Sequence, residues 1–214
     1  ADVAIDYCDF ELDGARLAVQ GFGSVGMHAA RFLMQKGVQL IAAADSQGTL
    51  FDPNGIDVEA LIAHKKSRQS VTAFGTGKVL PPNAVIGVEC DIWIPAARPD
   101  VINMGNWQDF KAKLILQGAN IPVTLEAERK LEESGVVIVP DFIANAGGVI
   151  CAAMEFHGQT QTGAFAAISE KIAHNAREVL QRAKREHGTT REAAVRLASE
   201  RVRAAMATRR FGVF

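Results

Sequence analysis

Short apolar runs alternate with segments of helical periodicity over the first 150 residues. Five runs predict buried strands, at residues 16–20, 39–44, 91–94, 113–117 and 136–139. Three segments between them place apolar residues at helical spacing and end at helix breakers: residues 24–36, 57–66 and 122–134. Strands that alternate with helices predict a parallel sheet covered by helices on both faces.

The pattern changes in two other places. Residues 67–88 are irregular and rich in Gly and Pro, which predicts a short strand pair or a loop excursion. After Gly147 no strand pattern remains. A helix to about Gly158 and a GQTQTG turn precede two long charged helices, at residues 164–186 and 190–209. Thr189 or Thr190, together with Glu192, is predicted to cap the last helix. We therefore predict a Rossmann-like, doubly wound, mostly parallel α/β domain at residues 1–150, with a C-terminal helical annex at residues 151–214 packed on it.

Composition narrows the possible partners. The 23 basic and 24 acidic side chains leave a net charge of −1, which gives no general attraction to nucleic acid or to an anionic membrane. The apolar runs are of strand length, so no membrane span is predicted. Cys8, Cys90 and Cys151 are widely spaced and lack histidines at ligand spacing, which predicts reduced, mostly buried thiols of a cytoplasmic protein and no metal site.

The stretch LAVQGFGSVGMHAARF places a GxGxxG turn between a predicted strand and a predicted helix. Gly21 permits a tight turn, Gly23 allows the backbone to approach a pyrophosphate, and Gly26 lets the helix pack closely on the strand. Asp45 ends the next strand 19 residues after Gly26, so Asp45 or the adjacent Ser46 is expected at the adenosine ribose. The predicted phosphate-binding residues are Gly21, Phe22, Gly23, Ser24, Val25 and Gly26.

The residues after the second strand bear on the choice between NAD and NADP. An acidic side chain at the strand end repels a 2′-phosphate, and no arginine follows closely in DSQGTLFDPNG, so NAD is favoured. The residue before the acid is Ala44, and NADP stays open.

Five motifs in order, GFGSVG, AADSQG, IPAA, QGAN and PDFIANAGGV, closely resemble the cofactor-binding domain of the glutamate/leucine/phenylalanine/valine dehydrogenase superfamily. The resemblance runs from about Asp13 to Phe211. It implies that Ala96 and Ala97 pass along the dinucleotide, that Asn120 binds near the nicotinamide ribose, and that Asn145 lies by the carboxamide. It also places Gly148, Val149 and Ala152 near the substrate.

The resemblance implies oxidative deamination of an L-amino acid to a 2-oxo acid and ammonia. In the family, a separate N-terminal domain supplies the substrate-binding and catalytic lysines, and its glycine-rich lysine motif has no counterpart here. We assign no catalytic role to four lysines expected on surface helices or loops: Lys36, Lys65, Lys66 and Lys78. This chain is therefore expected to bind the dinucleotide without turning over amino acids unaided, and the full-length protein to be a homo-oligomer.

The residue at position 152 leaves the class of substrate open. Enzymes of the family that act on glutamate typically carry a serine where this sequence has Ala152, and those acting on aliphatic or aromatic amino acids have an apolar residue there. The DSQG and PDFIANAGG loops nevertheless resemble the glutamate branch. A glutamate-type substrate is favoured, a leucine, phenylalanine or valine type is the alternative, and a non-catalytic NAD-binding regulatory module is the rival of another class.

Overall fold

A computed structural model of the chain describes residues 1–207, which form one seven-stranded sheet flanked by helices. The strands are β1 Arg16–Gln20, β2 Gln39–Ala44, β3 Thr49–Phe51, β4 Lys78–Leu80, β5 Ile92–Pro95, β6 Leu114–Leu116 and β7 Val137–Val139. Their order across the sheet is β4-β3-β2-β1-β5-β6-β7, and every neighbouring pair is parallel except β2 with β3 and β3 with β4. The predicted α/β class with a mostly parallel sheet is confirmed.

The α-helices are α1 Ser24–Met34, α2 Val58–Lys66, α3 Leu125–Glu133, α4 Asp141–Ala144, α5 Gly147–Phe156, α6 Gln161–Glu186 and α7 Thr190–Ala207. The sequence missed α4, a single turn, and also β3, which pairs with β4 to extend the sheet. Arg209, the predicted end of the last helix, lies outside the described residues.

Capping side chains explain where several helices begin. The Thr160 hydroxyl accepts a hydrogen bond from the Gly163 amide at 3.2 Å, so α6 begins earlier than the predicted residue 164. The Asp57 carboxylate accepts from Ala60 N at 2.9 Å and caps α2 from outside the helix. Thr189 and Glu192 form a reciprocal capping box at α7, with the Glu192 amide 3.1 Å from the Thr189 hydroxyl.

Both faces of the sheet are covered by helices and turns. Leu17 and Val19 of β1 point into the core layer shared with α1, α2 and α6, whereas Ala18 points into the opposite layer, as the two-residue strand period requires. Val179 of α6 and Leu197 of α7 are buried in the same layer as Leu17. The C-terminal helices thus share a core with the sheet, and the division at residues 150 and 151 stays a prediction.

The strand order reverses beside β1, which lies between β2 and β5. From β1 the chain first builds outward through β2 to β4, and then returns to add β5, β6 and β7 on the other side. Ligands of open α/β sheets bind in the crevice outside the carboxyl ends of strands at such a reversal. A ligand is therefore expected at the loops that follow β1, β2, β5, β6 and β7.

Candidate dinucleotide-binding site

The glycine turn links the end of β1 to the start of α1. Gly21 has φ +93°, and an added Cβ would lie 2.5 Å from Ala97 Cβ and 2.8 Å from Ala97 N. At Gly26 a Cβ would lie 2.2 Å from the Gly21 carbonyl oxygen and 2.9 Å from Val19 Cγ1. Both glycines are therefore required by the turn itself, because no larger residue fits without moving backbone.

Gly23 differs from its two neighbours in the motif. A Cβ built there meets no protein atom within 4 Å, and the residue has extended backbone with no side chain capping α1. The first amides of α1 consequently lack side-chain partners at this cap and, with the positive end of the helix dipole, favour an anion. This open backbone leaves room for a pyrophosphate. The protein itself would accept a larger residue at position 23, so glycine is needed there only if a ligand occupies the space.

Asp45 lies directly after β2, and its carboxylate is held by four donors. One oxygen accepts from Gln47 N at 3.0 Å and Ser70 Oγ at 2.9 Å, and the other from Val71 N at 2.9 Å and Lys65 Nζ at 2.8 Å. Burial opposes the charge, but the Lys65 ammonium and the other three hydrogen bonds outweigh it and lower the pKa of Asp45 to about 2. The Lys65 side chain is 19% exposed, so the expectation of a surface lysine was wrong there.

A cavity of about 630 Å³ opens between this carboxylate and the glycine turn. Gln20 lines it with a buried Oε1 that has no hydrogen-bond partner among the described residues. Lys65 and the exposed Arg98 add two cations to the same cavity. Sequence reasoning did not include Arg98 in the site, although it directly follows the predicted contacts Ala96 and Ala97. It also did not pair Lys65 with Asp45, because no sequence spacing links the two residues.

The loops after β5 and β6 are held against the glycine turn. Ala96 N donates to Gln20 O at 2.7 Å, which joins the β5 loop to the end of β1. Gly118 N and Ala119 N both donate to Pro95 O, at 3.0 and 2.8 Å. These bonds place the predicted contacts Ala96, Ala97 and Asn120 at one edge of the sheet with the phosphate turn.

Asn120 and Asn145 face each other at the other end of the crevice. The Asn145 side-chain amide donates to Asn120 Oδ1 at 2.8 Å. Both line an apolar cavity of about 870 Å³ that also reaches Val25, Gly148 and Val149. The structure thus brings the two predicted nicotinamide residues into direct contact.

Helix α5 starts beside Asn145 and has an unusual environment. None of its ten residues is buried, although its sequence GGVICAAMEF is strongly apolar, and Val149 is 77% and Phe156 86% exposed. Gly148 and Val149 line the apolar cavity, but Ala152 is exposed on α5 and does not line it. Of the three predicted substrate-proximal residues, two therefore lie at the cavity.

The three cysteines lie in three different environments. Burial raises the pKa of the Cys90 thiol to about 12 and that of the half-buried Cys8 to about 11. Cys151 on α5 is exposed, so the expectation of mostly buried thiols fails there. Within residues 1–207 no three His, Cys, Asp or Glu side chains are grouped so that they could hold a metal ion.

No helix among the described residues is both long enough and apolar enough to cross a membrane.

Comparison with known proteins places this geometry among amino-acid dehydrogenases. The family profile described as glutamate/leucine/phenylalanine/valine dehydrogenase matches residues 1–210. A glutamate dehydrogenase of Aeropyrum pernix is 38% identical over 208 residues, which cover 92% of this chain and 50% of that protein. An NADP-specific glutamate dehydrogenase of Saccharolobus shibatae is 38% identical over 152 residues, covering 71% of this chain and 36% of that protein.

The structure of a glutamate dehydrogenase is also similar to this chain. The hetero-hexameric glutamate dehydrogenase of Thermus thermophilus, in a leucine-bound form, superposes with a TM-score of 0.85 at 27% identity and covers 100% of this chain and 51% of its own. The chain spans about half the length of these relatives or less.

Proposed function

Because the chain belongs to the glutamate/leucine/phenylalanine/valine dehydrogenase family, we propose that it is the dinucleotide-binding part of an enzyme for NAD(P)-dependent oxidative deamination of an L-amino acid to a 2-oxo acid and ammonia. The observation that carries the proposal is the open backbone at Gly23, at the start of α1 and beside the strand-order reversal. When bound, the dinucleotide supplies a nicotinamide that exchanges hydride with the substrate.

The proposed roles follow the order of the loops along the crevice. The Gly21–Gly26 turn, with Phe22, Ser24 and Val25, binds the pyrophosphate, and Asp45 with Ser46 lies at the adenosine ribose. Ala96 and Ala97 pass along the dinucleotide, and the paired Asn120 and Asn145 orient the nicotinamide half. Chemistry requires groups beyond these, and we propose that the family's N-terminal domain supplies them.

For the cofactor we propose NAD, because an acidic side chain, Asp45, follows β2, with NADP as the alternative that the surroundings of Asp45 keep open. A Rossmann acid binds NAD through free carboxylate oxygens, but both oxygens of Asp45 already accept two hydrogen bonds. Lys65 neutralises the carboxylate, and Arg98 brings a further cation to the cavity. These contacts weaken the repulsion of a 2′-phosphate that Asp45 alone would cause.

For the substrate we propose a glutamate-type 2-amino acid, with a leucine, phenylalanine or valine type as the second candidate. The two 38% identical glutamate dehydrogenases support the first. Ala152 favours the second, because its methyl group cannot hydrogen-bond a side-chain carboxylate. Comparing glutamate, leucine and phenylalanine as substrates of the full-length protein decides between them, and a higher kcat/KM for leucine or phenylalanine would overturn the glutamate assignment.

We also propose that the N-terminal domain covers α5 and that the full-length protein is a homo-oligomer. The exposure of an apolar helix beside the nicotinamide end supports a covering domain. The relative from Thermus is a hetero-hexamer. Light scattering of the full-length protein tests the assembly, and a monomer at micromolar concentration would contradict it.

Titration of the 214-residue chain with NADH, NADPH and ADP-ribose tests the central proposal. Trp93 and Trp107 provide the donor fluorescence for energy transfer to the reduced nicotinamide. We expect saturable binding of both reduced cofactors and no amino-acid oxidation by the chain alone. Failure of all three ligands to bind would contradict the proposal, and an upstream reading frame without a Gly-Gly-x-Lys-type motif would favour a regulatory NAD-binding module.

A further inference from the structure

A buried polar cluster lies behind the nicotinamide end of the crevice, where β6, α3 and α4 meet. Gln117 directly follows β6 and is fully buried, and Glu128 on α3 is 2% exposed. The Gln117 side-chain amide donates to Glu128 Oε1 at 2.7 Å, and its Oε1 accepts from Asp141 N at 3.0 Å. One glutamine side chain therefore joins a strand end, a helix and the first turn of α4.

A single cation from the C-terminal helix enters this cluster. Arg191 donates from Nε to Glu128 Oε2 at 2.5 Å and from Nη2 to Gln117 Oε1 at 2.9 Å. Its Nη1 lies 3.0 Å from Asp141 Oδ1, and the guanidinium stacks over the Phe142 ring at 5.6 Å. The planar fork of arginine suits three partners at once, and its removal leaves two buried carboxylates without this counter-charge.

The first turn of α7 holds Arg191 in place. Thr190 donates to Glu132 Oε1 on α3 from both its backbone amide, at 2.9 Å, and its hydroxyl, at 2.6 Å. The capping box of Thr189 and Glu192 fixes the start of the helix. Arg191 is thus flanked by ordered residues and has little freedom to leave the cluster.

The cluster continues directly to the two asparagines of the proposed nicotinamide site. Asp141 Oδ2 accepts from Ile121 N at 2.8 Å, and Asp141 O accepts from Asn145 N at 2.7 Å. Ile121, which follows Asn120, has φ +47°, a left-handed conformation that is costly for a β-branched residue. The hydrogen bond to Asp141 therefore holds a strained loop in the conformation that presents Asn120 to Asn145.

We propose that Arg191 is a positioning residue for the nicotinamide end of the site, acting from the C-terminal helix through Gln117 and Asp141 on Asn120 and Asn145. The inference rests on the proposed dinucleotide function, but its structural half does not require a ligand. It assigns the C-terminal helix a part in cofactor geometry in addition to its packing on the sheet.

The test uses Arg191→Met and Arg191→Lys in the 214-residue chain, with Arg182→Met as the matched control. Arg182 has a similarly covered side chain, 18% exposed, and pairs with Glu186 and Glu200, so its loss loosens α7 without touching the cluster. The first readout is backbone amide exchange without ligand. In Arg191→Met we expect exchange at Ile121 at least about tenfold faster, with Gly21 and Phe22 unchanged, and in Arg182→Met no change at Ile121.

The second readout separates the two halves of the cofactor. In Arg191→Met we expect the Kd for NADH to rise at least about tenfold and that for ADP-ribose to stay within about twofold, with Arg191→Lys between it and wild type. A wild-type Ile121 exchange rate in Arg191→Met, or equal effects from Arg182→Met, would overturn the inference. If Arg191→Met does not fold, Arg191→Lys decides by the same criteria. If the unaltered chain binds no ligand, the proposed function fails and the exchange result alone decides the positioning role.

Discussion

The two ends of the crevice differ in how far this chain satisfies them by itself. At the proposed adenosine end the carboxylate of Asp45 accepts from four donors, and the glycine turn packs against the β5 loop. At the proposed nicotinamide end Asn145 donates a hydrogen bond to Asn120, and the adjoining helix α5 exposes its apolar residues. The carboxylate at the proposed adenosine end thus has all its partners within this chain, whereas the proposed nicotinamide end borders an uncovered apolar helix.

We expect the largest effect from the glycine turn, the proposed pyrophosphate site between the two ends of the crevice. Gly26→Ala places a methyl group against the Gly21 carbonyl oxygen, so the turn must shift. We expect a stability loss of about 1–3 kcal/mol and binding of both NADH and ADP-ribose weakened by about 100-fold. Urea unfolding and ligand titration measure the two quantities.

Gly23→Ala is the control for that change, because its methyl group meets no protein atom within 4 Å. We expect wild-type stability to within about 0.5 kcal/mol, together with clearly weaker binding of both ligands. Undiminished binding by Gly23→Ala would contradict the placement of the pyrophosphate.

Asn145→Ala should weaken binding only at the proposed nicotinamide end. It removes the donor to Asn120 Oδ1 and the proposed contact to the carboxamide. We expect the Kd for NADH to rise about tenfold, which corresponds to the loss of one or two hydrogen bonds, with ADP-ribose binding nearly unchanged. Equal losses for both ligands in calorimetry would show that Asn145 supports the fold and not the nicotinamide half.

Lys65→Met tests the charge balance at the proposed adenosine end. With the ammonium gone, the Asp45 carboxylate repels a 2′-phosphate, so we expect NADPH affinity to fall about tenfold and NADH affinity to change less than about threefold. The neighbouring Lys66→Met is the control, since Lys66 is exposed. The same change in both variants would argue for a general charge effect.

The pH dependence of stability follows from the lowered pKa of Asp45. The folded-state pKa is about 2 against an ordinary 3.8, so the contribution of this carboxylate is present above pH 3.8 and is lost as the pH falls toward 2. Its ceiling is about 2 kcal/mol, reduced by solvent screening of the partly exposed pair. Urea unfolding between pH 5 and 2 should show a shallower decline for Asp45→Asn, and identical slopes would exclude the contribution.

The smallest effect concerns the thiols. Cys151 lies on the open helix α5, whereas Cys90 is buried and Cys8 half-buried. With a chromogenic thiol reagent we expect one fast-reacting thiol in the native chain, absent in Cys151→Ser. Rapid reaction of all three would indicate that the closed core around Cys90 opens readily.

The sequence predicted most of the parallel sheet because each central strand is a continuous apolar run, the mark of burial on both faces. It missed β3 because TLF is only three residues long, too short to show a strand pattern, although it pairs with β2 just before it as well as with the distant β4. It also predicted that the glycine turn and the two asparagines line one crevice, because loops that follow parallel strands meet at one edge of the sheet. Asp45 directly follows β2 as expected, whereas its contacts with Lys65, Ser70 and Val71 were not predicted.

Interactions between neighbours within a few residues specify the apolar periodicity, the glycine spacing and the caps of α2 and α7, so these features can be recognised in the amino-acid sequence. Which charged side chains pair with each other depends instead on the three-dimensional fold. Lys65 lies 20 residues from Asp45 and Arg191 lies 63 from Glu128, and no local pattern links them. Such pairs form because folding brings distant segments together in a low-dielectric interior, where an unpaired charge would be costly.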